Sequence, residues 1–163
     1  MTPRRGRAKL LSREEIVTRF GPGRDGRVVF TNGCFDLLHA GHVAFLEQAR
    51  LLGDALVVGI NTDASARRLA KGPGRPFVGA EDRALIVASL ESVDAVCLFG
   101  EDTPAGLIAE LAPDVLVKGA DYSLDQVVGR ELVVEAGGRV ALIPLVEGKS
   151  TTGLLSRIKE EHE

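Results

Sequence analysis

Residues 27–53 confine what this chain can fold into. Arg27-Val28-Val29-Phe30-Thr31 is a short apolar, β-branched run bounded by Gly26 and by Asn32-Gly33, which is how a buried strand reads. Beyond it the hydrophobic period changes. Leu38, Val43, Leu46, Ala49 and Arg50 follow a helical repeat, with Gly41 and His42 near its start and Gly53 placed to close it. In a strand–turn–helix unit the first N–H groups of the helix lack intrahelical partners and point toward the strand's carboxyl end, so that place attracts phosphate.

The same alternation runs through the chain. Ser12 to Glu15 is a capping box opening a helix over 12–20, which Gly21-Pro22-Gly23 ends. A continuous apolar run at 55–60 suits a strand covered on both faces, and Asn61-Thr62-Asp63 caps a helix over 64–70. The Gly- and Pro-rich segment 71–76 reads as a mobile loop carrying Lys71 and Arg75. A helix over 80–90, a strand over 94–99 and a helix ending at 111, capped by Thr103 with Pro104 at its first position, come next. A strand over 114–118, a helix over 128–136, a strand over 139–143 and a terminal helix opened by Ser150-Thr151-Thr152-Gly153 complete the order. Strands alternating with helices predict a single α/β domain with a doubly wound parallel sheet, whose ligands sit outside the strands' carboxyl ends. Residues 1–26 read as a basic tail with a lead-in helix, and 27–160 as the domain itself. Arg4, Arg5, Arg7 and Lys9 of the tail are expected to be solvated.

Composition narrows the function. A chain of 163 residues with 45% hydrophobic content has the size and balance of one globular domain. No apolar run approaches membrane-spanning length and the N-terminus has no apolar leader, so a cytoplasmic location is expected. A net charge of −3 argues against general nucleic-acid binding. Cys34 and Cys97 lie in or beside strands without metal or redox spacing and read as buried free thiols.

His39 and His42 are the chemistry-bearing pair. Gly41 removes a side chain where something must come close, and each imidazole can donate a hydrogen bond to an anion. The bland alternative is one buried histidine and one helix cap; a zinc site lacks further ligands at a suitable spacing. Arg83, a cation in the first turn of its helix, needs an anion nearby, whether a ligand or Glu81 or Asp82. Asp36 is either a turn-fixing acceptor or a ligand contact, and Asp63 either a cap or a ligand contact. Lys118 and Asp121 form an ion pair at a strand end or contact nucleotide or sugar, and Thr151 can be a cap only.

Asn32-Gly33-Cys34-Phe35-Asp36 followed by His39-Ala40-Gly41-His42 resembles the HxGH signature of the nucleotidyltransferase superfamily. Further blocks, among them Gly59 to Asp63, Pro113 to Tyr122 and Gly148 to Thr152, resemble the adenylyltransferases of ADP-heptose synthesis. That resemblance implies a Rossmann-like, three-layer α/β/α fold and transfer of AMP from ATP to a heptose 1-phosphate with release of pyrophosphate. His39 and His42, with Lys71 closing over the phosphates, would be the catalytic groups. Thr31, Asn32, Gly33, Cys34, Phe35, Gly41, Lys118, Gly119, Asp121, Ser150, Thr151 and Thr152 would hold the nucleotide. Asp36, Asp63, Arg75 and Arg83 fall to the substrate side. Mg²⁺ is expected on the phosphates rather than in a protein cage. The resemblance also implies a homo-oligomer, in the first instance a dimer, and a free-standing form served by a separate kinase and phosphatase.

The rival branch is that of the glycerol-3-phosphate cytidylyltransferases, which use CTP. They usually carry an arginine-threonine pair a few residues before the final serine, where this chain has Leu145-Val146-Glu147-Gly148-Lys149. A non-catalytic nucleotide-binding module is the third reading. With no tryptophan and Tyr122 as the one tyrosine, backbone groups and aliphatic walls are expected to read the base.

Overall fold

The computed structural model describes residues 5–69 and 72–162. Five strands form one sheet: β1 (Val28–Gly33), β2 (Ala55–Asn61), β3 (Ala95–Phe99), β4 (Val115–Gly119) and β5 (Arg139–Ile143). Their order is β3-β2-β1-β4-β5 and every pairing is parallel. The chain winds outward from β1 through β2 to β3, then returns to lay β4 against the other side of β1. The switch point of the doubly wound sheet therefore lies between β1 and β4.

Apolar, mostly β-branched runs make these strands because both faces are covered. Val29, Leu56, Val58, Val115 and Val117 point to one face, where α2 (Ala40–Arg50) and α4 (Ala80–Ala88) supply Leu46, Ala84 and Val87. Val28, Phe30, Val57 and Leu116 point to the other, against α1 (Arg13–Phe20), α5 (Ala105–Leu111) and α6 (Arg130–Glu135). Three layers result, and the central side chains are fully buried, each contributing roughly 1.5–3 kcal/mol. A short α3 (Asp63–Arg68) follows β2, and α7 (Thr151–Glu160) closes the chain.

Some boundaries move for local reasons. The Ser12 capping box forms as read, whereas β1 runs two residues further, through Gly33, because it keeps pairing with β2 to its end. Thr62, rather than Asp63, caps α3, and Pro104 takes the cap of α5 in place of the first helical position. Before α6, residues 124–126 form a separate 3-10 turn.

The tail expectation needs correction at Lys9. Its side chain is buried, and its ammonium donates to the Leu90 carbonyl oxygen at 2.9 Å. Leu10 forms a parallel bridge to Val96 and the Leu11 N–H donates to the Val96 carbonyl, so the lead-in covers part of the β3 edge. Arg4 lies outside the described residues.

Candidate active site

A cleft of about 810 Å³ opens at the carboxyl ends of the strands, over the switch point, within the usual size of a ligand site. The end of β1 forms its floor through Thr31, Asn32, Gly33, Cys34 and Phe35. Lys118, Gly119 and Asp121 stand at the end of β4, and Ser150, Thr151 and Thr152 at the start of α7.

The first turn of α2 carries His39, Gly41 and His42 to the cleft wall. His39 is the cap of that helix: its Nδ1 accepts from the Gly41 N–H at 3.1 Å, and His42 Nδ1 accepts from the His39 N–H at 3.1 Å. The two rings stack with centroids 3.9 Å apart. A nitrogen that accepts a backbone N–H cannot carry a proton, so both neutral rings hold theirs on Nε2 and offer it as a donor. Burial, with the Lys149 charge second, pushes the His39 imidazole below its usual value. The cap reading is therefore seen at His39, in a geometry compatible with a ligand role for the pair. The close approach that Gly41 permits is from inside the protein: a Cβ there would stand 2.9 Å from both His39 Nδ1 and Lys149 Cβ.

Asp36, 3% exposed, does not line the cleft. Its carboxylate accepts the N–H groups of Phe77 at 2.9 Å and Val78 at 3.0 Å, with Arg75 Nε at 3.5 Å. Arg75 lines the cleft beside it. Thr151 Oγ1 donates to the Asp36 carbonyl oxygen at 3.0 Å, while Ser150 is the cap of α7. Arg83 is 1% exposed and its guanidinium donates to the Cys34 carbonyl at 2.6 Å, the Val78 carbonyl at 2.8 Å and Asp63 at 2.9 Å. Its anion is therefore Asp63, not Glu81 or Asp82, and Arg83 and Asp63 brace the cleft from behind instead of lining it. Lys71 lies outside the described residues.

Other side chains in the floor are committed to the protein. Thr31 Oγ1 donates to the Val117 carbonyl at 2.8 Å, across the switch point. Cys34 Sγ lies 3.7 Å from Asn61 Oδ1, and Asn61 donates in turn to Ser65 Oγ at 2.9 Å. Asn32 Oδ1 is buried with no hydrogen-bond partner among the described residues. Lys118 Nζ donates to the Asn32 carbonyl at 3.3 Å and lies 5.6 Å from the Tyr122 ring centre.

Sequence reasoning missed Lys149, Asn61 and Phe45 as cleft residues. Lys149 stood in a flagged block and Asn61 in a flagged strand end, so position was the available signal; Phe45 carried none. Leu69, Val128, Leu145 and Val146 supply aliphatic wall, and Tyr122 joins them. Among the described residues no group of three or more His, Cys, Asp or Glu side chains is arranged to hold a metal, and no helix is long and apolar enough to cross a membrane.

A Rossmann-like parallel sheet with a histidine pair at the start of its first crossover helix, beside a cleft over the switch point, is the arrangement expected of a nucleotidyltransferase fold. The chain belongs to the cytidylyltransferase-like family, whose pattern matches residues 30–149. Among its relatives, the bifunctional protein HldE of Magnetococcus marinus is 62% identical over 135 residues, 83% of this chain and 28% of that protein. HldE of Trichlorobacter lovleyi is 57% identical over 149 residues, 91% of this chain and 30% of that protein. The chain spans less than a third of the length of these relatives. A lipopolysaccharide core biosynthesis protein from Thermoplasma volcanium superposes with a TM-score of 0.62 at 28% identity, covering 74% of this chain and 97% of that one. Pantothenate synthetase from Thermus thermophilus shares the fold, with a TM-score of 0.55 at 20% identity over 85% of this chain and 62% of its own.

Proposed function

We propose that this domain transfers AMP from ATP to D-glycero-β-D-manno-heptose 1-phosphate, giving ADP-heptose and pyrophosphate. The observation that carries the reaction class is the histidine pair, locked by its own helix cap into the tautomer that donates from Nε2. The heptose and adenine assignments rest on the resembling blocks and on the 62% identity to HldE. The stretch Leu145-Val146-Glu147-Gly148-Lys149, which lacks the arginine-threonine pair of the cytidylyltransferase branch, supports the same choice.

A sugar phosphate oxygen attacks the α-phosphorus in line, the new P–O bond forms, and the bond to the bridging α–β oxygen breaks with its electron pair leaving on pyrophosphate. Such a transfer needs positioning and charge stabilisation rather than a protein nucleophile. His39 and His42 donate to phosphate oxygens, aided by the positive end of the α2 dipole. Backbone from Thr31 to Phe35, with Lys118, Gly119 and Asp121, holds the nucleotide, and Ser150 to Thr152 add donors at the start of α7. Lys71 closes over the phosphates. Arg75 faces the substrate, and Asp36, Asp63 and Arg83 serve it by holding the walls. Mg²⁺ suits a cleft of this kind as an ion carried in by the triphosphate, whose charge it neutralises; Asp102 and Asp121 are the carboxylates lining the cleft. In this reading the domain works in the cytoplasm as a homodimer, and a separate kinase and phosphatase supply the sugar 1-phosphate.

The test is pyrophosphate release with ATP or CTP against the heptose phosphate or glycerol 3-phosphate. Release with ATP and the heptose phosphate alone is expected. Release with CTP and glycerol phosphate would move the protein to the cytidylyltransferase branch, and silence with every pair would leave a binding module.

A further inference from the structure

A triphosphate meeting a sugar phosphate gathers several negative charges, and the transfer needs cations against them. The histidines bring donors rather than a fixed charge, because each Nδ1 accepts a backbone N–H. Arg75 faces the Asp36 carboxylate at 3.5 Å. Lys118 is engaged by the Asn32 carbonyl and the Tyr122 ring.

Lys149 differs from both. It lines the same cleft, and among the described residues its ammonium makes no hydrogen bond or ion pair. Its place is tightly set: a Cβ built on Gly41 would meet Lys149 Cβ at 2.9 Å, so the lysine stem lies against the first turn of α2, beside the His39 ring. It is also the residue before Ser150, the cap of α7. The Lys149 stem thus lies against one helix start and just before a second, and the lysine shares the cleft with both imidazoles.

We propose that Lys149 is a catalytic residue, whose ammonium binds the nucleotide's phosphates at the start of α2 and stabilises the charge that builds on the departing pyrophosphate. The catalytic part rests on the nucleotidyl-transfer reading; the phosphate-binding part rests on the cleft alone. No proton transfer passes through Lys149, since bond making and breaking occur between phosphate oxygens and the α-phosphorus. The same charge acts on His39, which it helps to keep neutral, so one lysine supplies the cation and preserves the donor tautomer.

The test compares wild type, Lys149→Met, which keeps an unbranched stem, and Lys149→Arg, which keeps the charge. Calorimetric titration with inorganic tripolyphosphate should show binding at least about tenfold weaker in Lys149→Met and largely kept in Lys149→Arg. Turnover with ATP and heptose 1-phosphate should fall about a hundredfold in Lys149→Met, in kcat more than in KM for the sugar phosphate. NMR titration should show the His39 pKa rising in Lys149→Met only, a change that a merely structural lysine would not produce. Tripolyphosphate binding equally well to wild type and Lys149→Met, or to neither, overturns the proposal. Lys149-dependent binding without turnover on any nucleotide and acceptor pair would uphold the phosphate site and overturn the transfer reading.

Discussion

His39 serves the helix and the cleft with opposite edges of one ring. The usual capping box pairs a hydroxyl with a carboxylate three residues on, and here two imidazoles do the same work at the same spacing. The spacing was plain in the sequence, but the reciprocal bond depends on ring nitrogens accepting, which residue type alone does not declare. A pH dependence follows. The His39 imidazole is held below its usual 6.5, by burial first and by Lys149 second. The unfolded chain therefore takes up a proton at higher pH than the native one, so stability falls as pH drops from about 6.5 through the lower native value. His39→Asn keeps a good cap acceptor but cannot titrate. Its melting temperature should change less than that of wild type between about pH 7.5 and pH 5, while turnover is lost at both. Parallel melting curves across that range would show that His39 does not carry the acid sensitivity.

The turn between β1 and α2 pins three elements at once. Phe35 and Leu37 both have φ of 51°, a left-handed conformation that costs side-chain-bearing residues about 1–3 kcal/mol each. Long-range bonds hold it there: Arg83 of α4 on the Cys34 carbonyl, the N–H groups of Phe77 and Val78 on the Asp36 carboxylate, and Thr151 of α7 on the Asp36 carbonyl. Local sequence showed an arginine at an unfavourable helix start and an aspartate in a turn. It did not show their partners, because Asp63, Phe77 and Asp36 come together only when β2, the 75–78 loop and α2 are packed. Asp36→Asn is the informative change. One amide oxygen can serve only one of the two N–H groups well, and the NH₂ opposes the other, so a destabilisation of about 1–3 kcal/mol is expected by thermal melting. Loss of the carboxylate also releases Arg75 from its partner, so KM should rise more than stability alone explains. Unchanged kinetics in the folded variant would confine Asp36 to the fold.

Across the whole molecule, the alternation of apolar runs and helical repeats made the doubly wound sheet legible, and the residues at strand ends made the cleft legible with it. The bridge from Leu10 to Val96 left no mark in the sequence, since an isolated parallel contact has no period. Nor did hydropathy show how unequally the parts contribute. The helices on both faces of the sheet supply the core, whereas α7 buries no residue at all, although its first turn brings Ser150, Thr151 and Thr152 to the cleft. α7 therefore contributes to the cleft more than to the core. A protein ending at Glu147 retains all five strands and the helices packed on them, and loses mainly the half-buried contacts of α7 and the Thr151 bond to Asp36. It should unfold cooperatively within about 5 °C of the full chain, a shift corresponding to roughly 1–2 kcal/mol at this size. The same protein should fail to release pyrophosphate and should bind tripolyphosphate poorly, because Lys149 and the start of α7 are both gone. Loss of the cooperative transition in calorimetry would instead mean that α7 is a structural element, and that the sheet does not stand without it.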